Sequence, residues 1–260
     1  MNTCRTSREK TMSEAVSAIP VEGKPLTEVE RVVDTFIAPS KTFTDIRRNA
    51  SWWLPYILIA ACWIAMAYVA DSKVGFETIV NNQLRLSSKQ ADRLEQLPPD
   101  QRAEQTKAMV KGNRIFWFYI APVAALLLAV MMAGIYMGTF NFGFGAELKF
   151  KQCLAVFMYA SLPLIIKTGI AILVFFVGGG EGFTFQNPVA SNLSGLVDPN
   201  SHFLYNVATN VDTFLIWTLI LTGIAYSCLT RVKRSTCMAV VFAWWVVFTL
   251  FFSGLGALFA

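Results

Sequence analysis

The sequence predicts an all-α membrane protein: a five-helix transmembrane bundle with amphipathic interfacial helices before it and a small extracytoplasmic helical hairpin. Three observations point there. Hydrophobic residues make up 55% of the 260 and charged residues only 15%, and the mean hydropathy is +0.48. A water-soluble globule would have to cover that apolar surface, whereas lipid demands only that backbone polar groups pair internally. The apolar residues are also gathered into runs of about 20, the length that crosses about 30 Å of hydrocarbon. Finally, the 21 Phe, 7 Trp and 7 Tyr exceed what a small core needs, and several Trp sit at run ends, where amphipathic rings favour the interface.

Residues 1–26 read as a disordered cytoplasmic tail: they are polar, contain Pro20 and Pro25, and lack the apolar centre of a cleaved signal peptide. Met12 is an alternative translation start. Residues 27–260 read as one membrane domain. Thr27 and Glu30 have the spacing of a capping box, and Val29, Val32, Val33, Phe36 and Ile37 follow at helical intervals. Ala38-Pro39 interrupts that helix. Ser40 is the expected cap of a second, with Phe43 and Ile46 on one face and Lys41, Asp45 and Arg47 on the other. Two readings stand side by side: helices lying in the headgroup plane, or a hairpin packed on the ends of the bundle. In the first, Phe36, Pro39, Phe43, Arg47 and Arg48 face lipid or a partner.

The expected spans are residues 52–70, 114–140, 152–177, 211–229 and 237–259. Trp52 and Trp53 anchor the first, Pro163 and Lys167 interrupt the third, and Trp244 and Trp245 lie inside the fifth. Residues 71–113 form a polar stretch in which Ser87 and Gln90 suit the start of one helix and Pro98-Pro99 that of another, hence the external hairpin. The Gly-, Asn-, Ser- and Pro-rich loop from 178 to 210 includes Gly178-Gly179-Gly180-Glu181-Gly182, which lacks the Lys-Ser/Thr ending of a phosphate loop and reads as a flexible exit.

Charge orients the chain. Lys41, Arg47 and Arg48, then Lys149 and Lys151, then Arg231, Lys233 and Arg234 fall in segments that share one side in a five-span protein, while residues 178–210 and the C-terminal end hold no Lys or Arg. The positive-inside rule then puts the N-terminus in the cytoplasm and the C-terminus outside. The 71–113 segment objects with seven basic residues, nearly balanced by six acids. The net charge of +5 lies at segment ends and in this mixed loop, which does not make a phosphate-binding face, so no nucleic-acid partner is expected.

A family likeness rests on two stretches. Phe36-Ile37-Ala38-Pro39-Ser40-Lys41-Thr42-Phe43, leading through Ile46 and Trp52-Trp53-Leu54-Pro55, resembles the opening of bacterial members of the Yip1 family. Gly145-Ala146-Glu147-Leu148-Lys149-Phe150-Lys151-Gln152, followed by Tyr159-Ala160-Ser161-Leu162-Pro163, resembles the family's turn into a span that holds a Tyr and a Pro. The resemblance covers roughly residues 30–255 and implies five spans. It also implies, from the eukaryotic relatives, association with Rab-type small GTPases in membrane trafficking. The Asp-Leu-Tyr-Gly-Pro motif of many of those relatives is missing here, which leaves a small GTPase as a partner by distant analogy only and makes a bacterial inner membrane the expected home.

Lys167 is the most informative residue. It lies about fifteen residues into the third span, where an ionised ammonium costs several kcal/mol, and no acidic residue is expected at matching depth, because Asp212 and Glu147 sit near span ends. With Pro163, which frees a backbone carbonyl one turn earlier, and Tyr159, it makes a candidate site for a lipid headgroup, an ion or a partner. The plainer reading is a Lys that snorkels or binds carbonyls of a neighbouring helix. His202 has no companion base or nucleophile nearby in sequence, and Asn192-Leu193-Ser194 fits a glycosylation sequon. The five Cys, without a CxxC pair, read as packing residues. No catalytic residue, cofactor or metal site is expected. The leading expectation is a non-enzymatic membrane protein acting as a scaffold, assembly or membrane-organisation factor for lipids and protein partners, with homo-oligomerisation left open. The alternative is a transporter or permease component that moves a lipid or small anion past Lys167.

Overall fold

The computed structural model describes residues 24–178, 180, 182–199 and 201–259; most of the expected tail, including Met12, lies outside them. The first two helices are α1 (Glu28–Ile37) and α2 (Pro39–Asp45). Thr27 caps α1 in the expected box: its hydroxyl accepts the Glu30 N–H at 3.2 Å, and its own N–H donates to Glu30 Oε2 at 2.7 Å. The Thr27 N–H and hydroxyl both donate to the Glu30 carboxylate and hold it below its ordinary range. Ser40 is not the cap of α2. That helix begins at Pro39, whose missing N–H costs nothing at a first helical position. The two helices do not lie free on a membrane surface, since Phe43 and Ile46 are fully buried in the main core and Phe36 packs edge-on against Trp217 at 5.8 Å.

The membrane-type helices follow. Helix α3 (Trp53–Lys73) leads to a polar segment of three helices rather than two: α4 (Phe76–Arg85), α5 (Ser88–Glu95) and α6 (Pro99–Ile115). Ser87 and Pro98 do precede α5 and α6. Helices α4, α5 and α6 pack on one another, and α6 continues through a π-turn (Phe116–Ile120) into α7 (Ala121–Phe144) as one helix of 46 residues. The π-turn sits immediately before Pro122, whose ring nitrogen has no N–H to give the ordinary ladder. Next come α8 (Phe150–Ala160) and α9 (Pro163–Phe176), two parts of one span joined at Ser161-Leu162, then a short 3₁₀ turn (Leu193–Leu196), α10 (His202–Asn210), α11 (Thr213–Leu229) and α12 (Arg234–Phe259).

Among the described residues, four helices are long and apolar enough to cross a membrane: α3, α6–α7, α8–α9 and α12. Helix α11 is equally apolar but has 17 residues, about 25 Å at 1.5 Å per residue, short of a full hydrocarbon layer.

The main core gathers α2, α7, α8, α11 and the start of α12 around Tyr136, Phe140, Tyr159 and Tyr226, with Phe140 stacked on Tyr226 at 4.5 Å. Gly145 ends α7 with φ 65°, a left-handed cap that lets the chain reverse into α8. Asn141 secures the reversal by accepting the Leu148 N–H at 2.9 Å and donating to its carbonyl at 3.0 Å. A second core forms at the far end, where Met66, Ala70, Ala171 and Phe175 meet Phe76, Phe183 and Phe185. Phe185 stacks on Trp117 at 4.2 Å and on Phe76 at 5.8 Å, and Asn82 donates to the Phe183 carbonyl at 3.1 Å. The segment after the glycine run is therefore pinned back onto α4 and the π-turn rather than trailing away.

Helices α11 and α12 approach closely at Gly223, where an added Cβ would meet Met238 Sδ at 2.3 Å and Met238 Cα at 3.2 Å. The Met side chain can swing aside but the backbone cannot. Gly223→Val is expected to destabilise the protein by about 1–3 kcal/mol through overpacking, read as a lower thermal midpoint in detergent, and Met238→Ala should recover only part of the loss.

Candidate functional site

Two buried polar clusters stand out against the apolar bundle. The first joins the N-terminal hairpin to α8. Arg31 is 1% exposed, and its guanidinium donates to Asp45 Oδ2 from Nε at 2.8 Å and from Nη2 at 2.7 Å. Its backbone carbonyl accepts from Thr35 and, at 3.1 Å, from Thr42, which ties α2 to α1. Glu28 reaches Arg31 at 3.4 Å and accepts the Tyr159 hydroxyl at 2.7 Å. Burial pulls the Arg31 guanidinium down, but the hydrogen bond and charge of Asp45, with Tyr159, carry it above its ordinary value. A raised folded value means that its contribution to stability is intact below the unfolded range and is lost only as the pH rises past it, so the ion pair persists in any physiological medium.

The second cluster surrounds Lys167 on α9. Its ammonium donates to Asp212 Oδ2 at 2.9 Å, with the Lys side chain 16% and the Asp side chain 3% exposed. The expectation that Lys167 has no acidic partner is therefore wrong, and helix length explains why. Seventeen residues separate Phe150 from Lys167 along α8–α9, and seventeen separate Leu229 from Asp212 along the short α11. Both groups thus stand about 25 Å from that end of the bundle. Asp212 is a helix-end residue whose helix ends early. Its Oδ1 caps α11 by accepting the N–H groups of Phe214 at 3.0 Å and Leu215 at 3.1 Å, while Oδ2 also accepts the Ser191 hydroxyl. The Ser191 carbonyl takes the Thr213 N–H at 3.0 Å, so the ion pair holds the connecting loop as well as two helices.

The structure sorts the expected site residues into different places. Tyr159 belongs to the Glu28 and Arg31 cluster, not to that of Lys167. Pro163 opens α9, and the Tyr159 carbonyl that it would deprive is taken by the Leu162 N–H at 3.2 Å, so no free carbonyl results there. Phe36 and Phe43 are docked in the bundle, Pro39 starts α2, Arg47 is half-buried, and Arg48 approaches Asp45 at 3.9 Å. His202 opens α10. The sequon is internally occupied: Asn192 accepts from the Ser194 N–H and hydroxyl and donates to Asn187. Cys153 and Cys237 are buried and unpaired with another Cys, as packing residues are.

Reasoning from sequence missed Arg31, Asp45 and Asp212. Asp212-Thr213 before an apolar run is a helix-cap signal that was present, and counting depth from the cationic end would have matched Asp212 with Lys167. Arg31 carried no such signal, because a charged residue in an amphipathic helix is ordinarily solvated. A cavity of about 340 Å³ opens beside the second cluster, between Asn187, Asn192, Ser194, Val197 and Tyr205. Its amides are largely spent on one another.

No curated protein and no solved structure matches the chain. The family profile of the Yip1 domain matches residues 33–255, which takes in α3 to α11, most of α12 and both members of the Lys167–Asp212 pair. This chain belongs to the Yip1 domain family.

Proposed function

We propose that this protein is a non-enzymatic scaffold or assembly factor of the membrane, a rigid helical platform that holds protein and lipid partners, and not a conduit. The observation that carries this reading is the state of Lys167. Its charge is answered inside the bundle by Asp212, whose carboxylate also accepts the Ser191 hydroxyl, and the main core nearer the Leu229 end is filled with Tyr136, Phe140, Tyr226 and apolar side chains. A transported anion would have to compete with a carboxylate already in place, at the expense of leaving that carboxylate buried and unpaired. Both clusters instead join separate segments: the hairpin to α8, and α9 to α11 and its preceding loop.

In this reading residues 27–260 form one membrane unit with α11 as a fifth, short span. The cationic turns then face the cytoplasm, the N-terminus is cytoplasmic, the C-terminus lies outside, and α4–α6 project from the outer face. A bacterial inner membrane suits this arrangement, and a small GTPase partner rests on family analogy alone.

The test is reconstitution of the purified full chain into vesicles of phosphatidylethanolamine and phosphatidylglycerol. The scaffold reading expects no gain in anion flux or lipid movement over empty vesicles, together with stoichiometric retention of a protein partner after cross-linking in native membranes and purification in mild detergent. Flux that rises with protein content and vanishes in Lys167→Met would replace it with the transport reading.

A further inference from the structure

Around α1 the side chains divide into three faces. Arg31 and Thr35 point inward and are buried, flanked by Val32 and Phe36 against the main core. Val29, Val33 and Ile37, spaced four residues apart, point away from the bundle at 67%, 47% and 77% exposure. Glu30 is exposed on a separate strip, with Asp34 next to it bound to Lys41 at 2.7 Å. At 100° per residue, Val29, Val33 and Ile37 occupy one continuous arc, and Glu30 and Asp34 the arc beside it. The outward surface of α1 is thus half aliphatic and half anionic, divided lengthwise.

We propose that α1 lies along the boundary of the lipid leaflet at the Leu229 end of the bundle, with Val29, Val33 and Ile37 against acyl chains and Glu30 and Asp34 among headgroups and water. Three features select lipid as the occupant. Contacts with Trp217 and Tyr159, each well inside an apolar helix, set α1 beside the hydrocarbon-facing part of the bundle and not beyond its end. The aliphatic arc is of the same kind as the exposed apolar side chains of the long helices, such as Ile57, Leu127, Val247 and Leu250. The same end carries the mixture expected at an anionic headgroup layer: Phe142, Phe144 and Phe150 exposed at 94%, 42% and 39%, interleaved with exposed Lys149 and Lys151 in the α7–α8 turn. The ion pair of Arg31 and Asp45 then holds the helix sideways on the bundle while the aliphatic arc rests on lipid, so the hairpin couples bundle to leaflet.

The full chain, with a nitroxide at position 33 or 30 in a background lacking native Cys, is placed in vesicles of phosphatidylethanolamine and phosphatidylglycerol, and collisions with oxygen and a water-soluble nickel chelate are compared. The label at Val33 should favour oxygen, as one at Leu250 does, and the label at Glu30 should favour nickel, as one at Lys107 does. Nickel dominance at Val33, or shielding there from both reagents as under a protein partner, would overturn the proposal. Should removal of the Cys residues unfold the chain, a diazirine side chain at position 33 in the native sequence gives the same decision: lipid adducts support it, and water or protein adducts refute it.

Discussion

Lys167→Met is expected to lower stability by about 3–5 kcal/mol, the usual cost of removing one partner from a buried pair. The loss does not arise chiefly from the missing attraction. It arises because Asp212, 3% exposed at its side chain, keeps a carboxylate that only Ser191 and two helix N–H groups then satisfy. The identity of the second substitution therefore decides the outcome. Asp212→Asn retains an oxygen to cap α11 while removing the charge, so the double variant Lys167→Met with Asp212→Asn should recover a substantial part of the deficit, whereas Lys167→Met with Asp212→Ala should not. Thermal midpoints of wild type, Lys167→Met, Asp212→Asn and the double variant Lys167→Met with Asp212→Asn, all in one detergent, form a double-mutant cycle that measures this directly, with the double variant Lys167→Met with Asp212→Ala as the contrast. Equal midpoints for wild type and Lys167→Met would show that the ammonium is solvated and that the pair contributes nothing.

Arg31→Met should have a comparable effect, about 3 kcal/mol or more, for the same physical reason at the other cluster. Asp45 would lose its two short donors and keep only the approach of Arg48 at 3.9 Å. The consequence differs in kind, because the hairpin is the element that depends on the pair. Phe43 and Ile46 fill the main core, so weakening the inner face of α1–α2 should release the hairpin before the long helices separate. Limited proteolysis of the variant in detergent should thus cut between Ile37 and Asn49 at a protease concentration that leaves the wild type whole, with the bundle fragment persisting. Cleavage spread evenly along the chain would mean instead that the hairpin and the bundle form a single cooperative unit.

Much of the architecture was readable from residue order. Long apolar runs marked helices long and apolar enough to cross a membrane, four of them among the described residues, and Thr27 with Glu30 gave the start of α1 to the residue. Local signals of this type need no knowledge of neighbours: a cap satisfies its own first turn, and a run of about 20 apolar residues is stable in lipid wherever it sits. The Yip1 likeness was visible in the same way, in the residues around Pro39 and Gly145.

Boundaries and partners were another matter. That α6 and α7 make one helix depended on a π-turn that absorbs the missing N–H of Pro122, and no local pattern distinguishes that from a break. The sequence by itself determined which segments must be helical and hydrophobic, because backbone pairing and apolar transfer are decided residue by residue. Only the tertiary structure decided which charges meet. Lys167 and Asp212 lie 45 positions apart and Arg31 and Asp45 fourteen. Whether such groups are ruinous or stabilising in a low-dielectric interior turns on a few ångströms of separation, which are set by where each helix ends and how the helices pack.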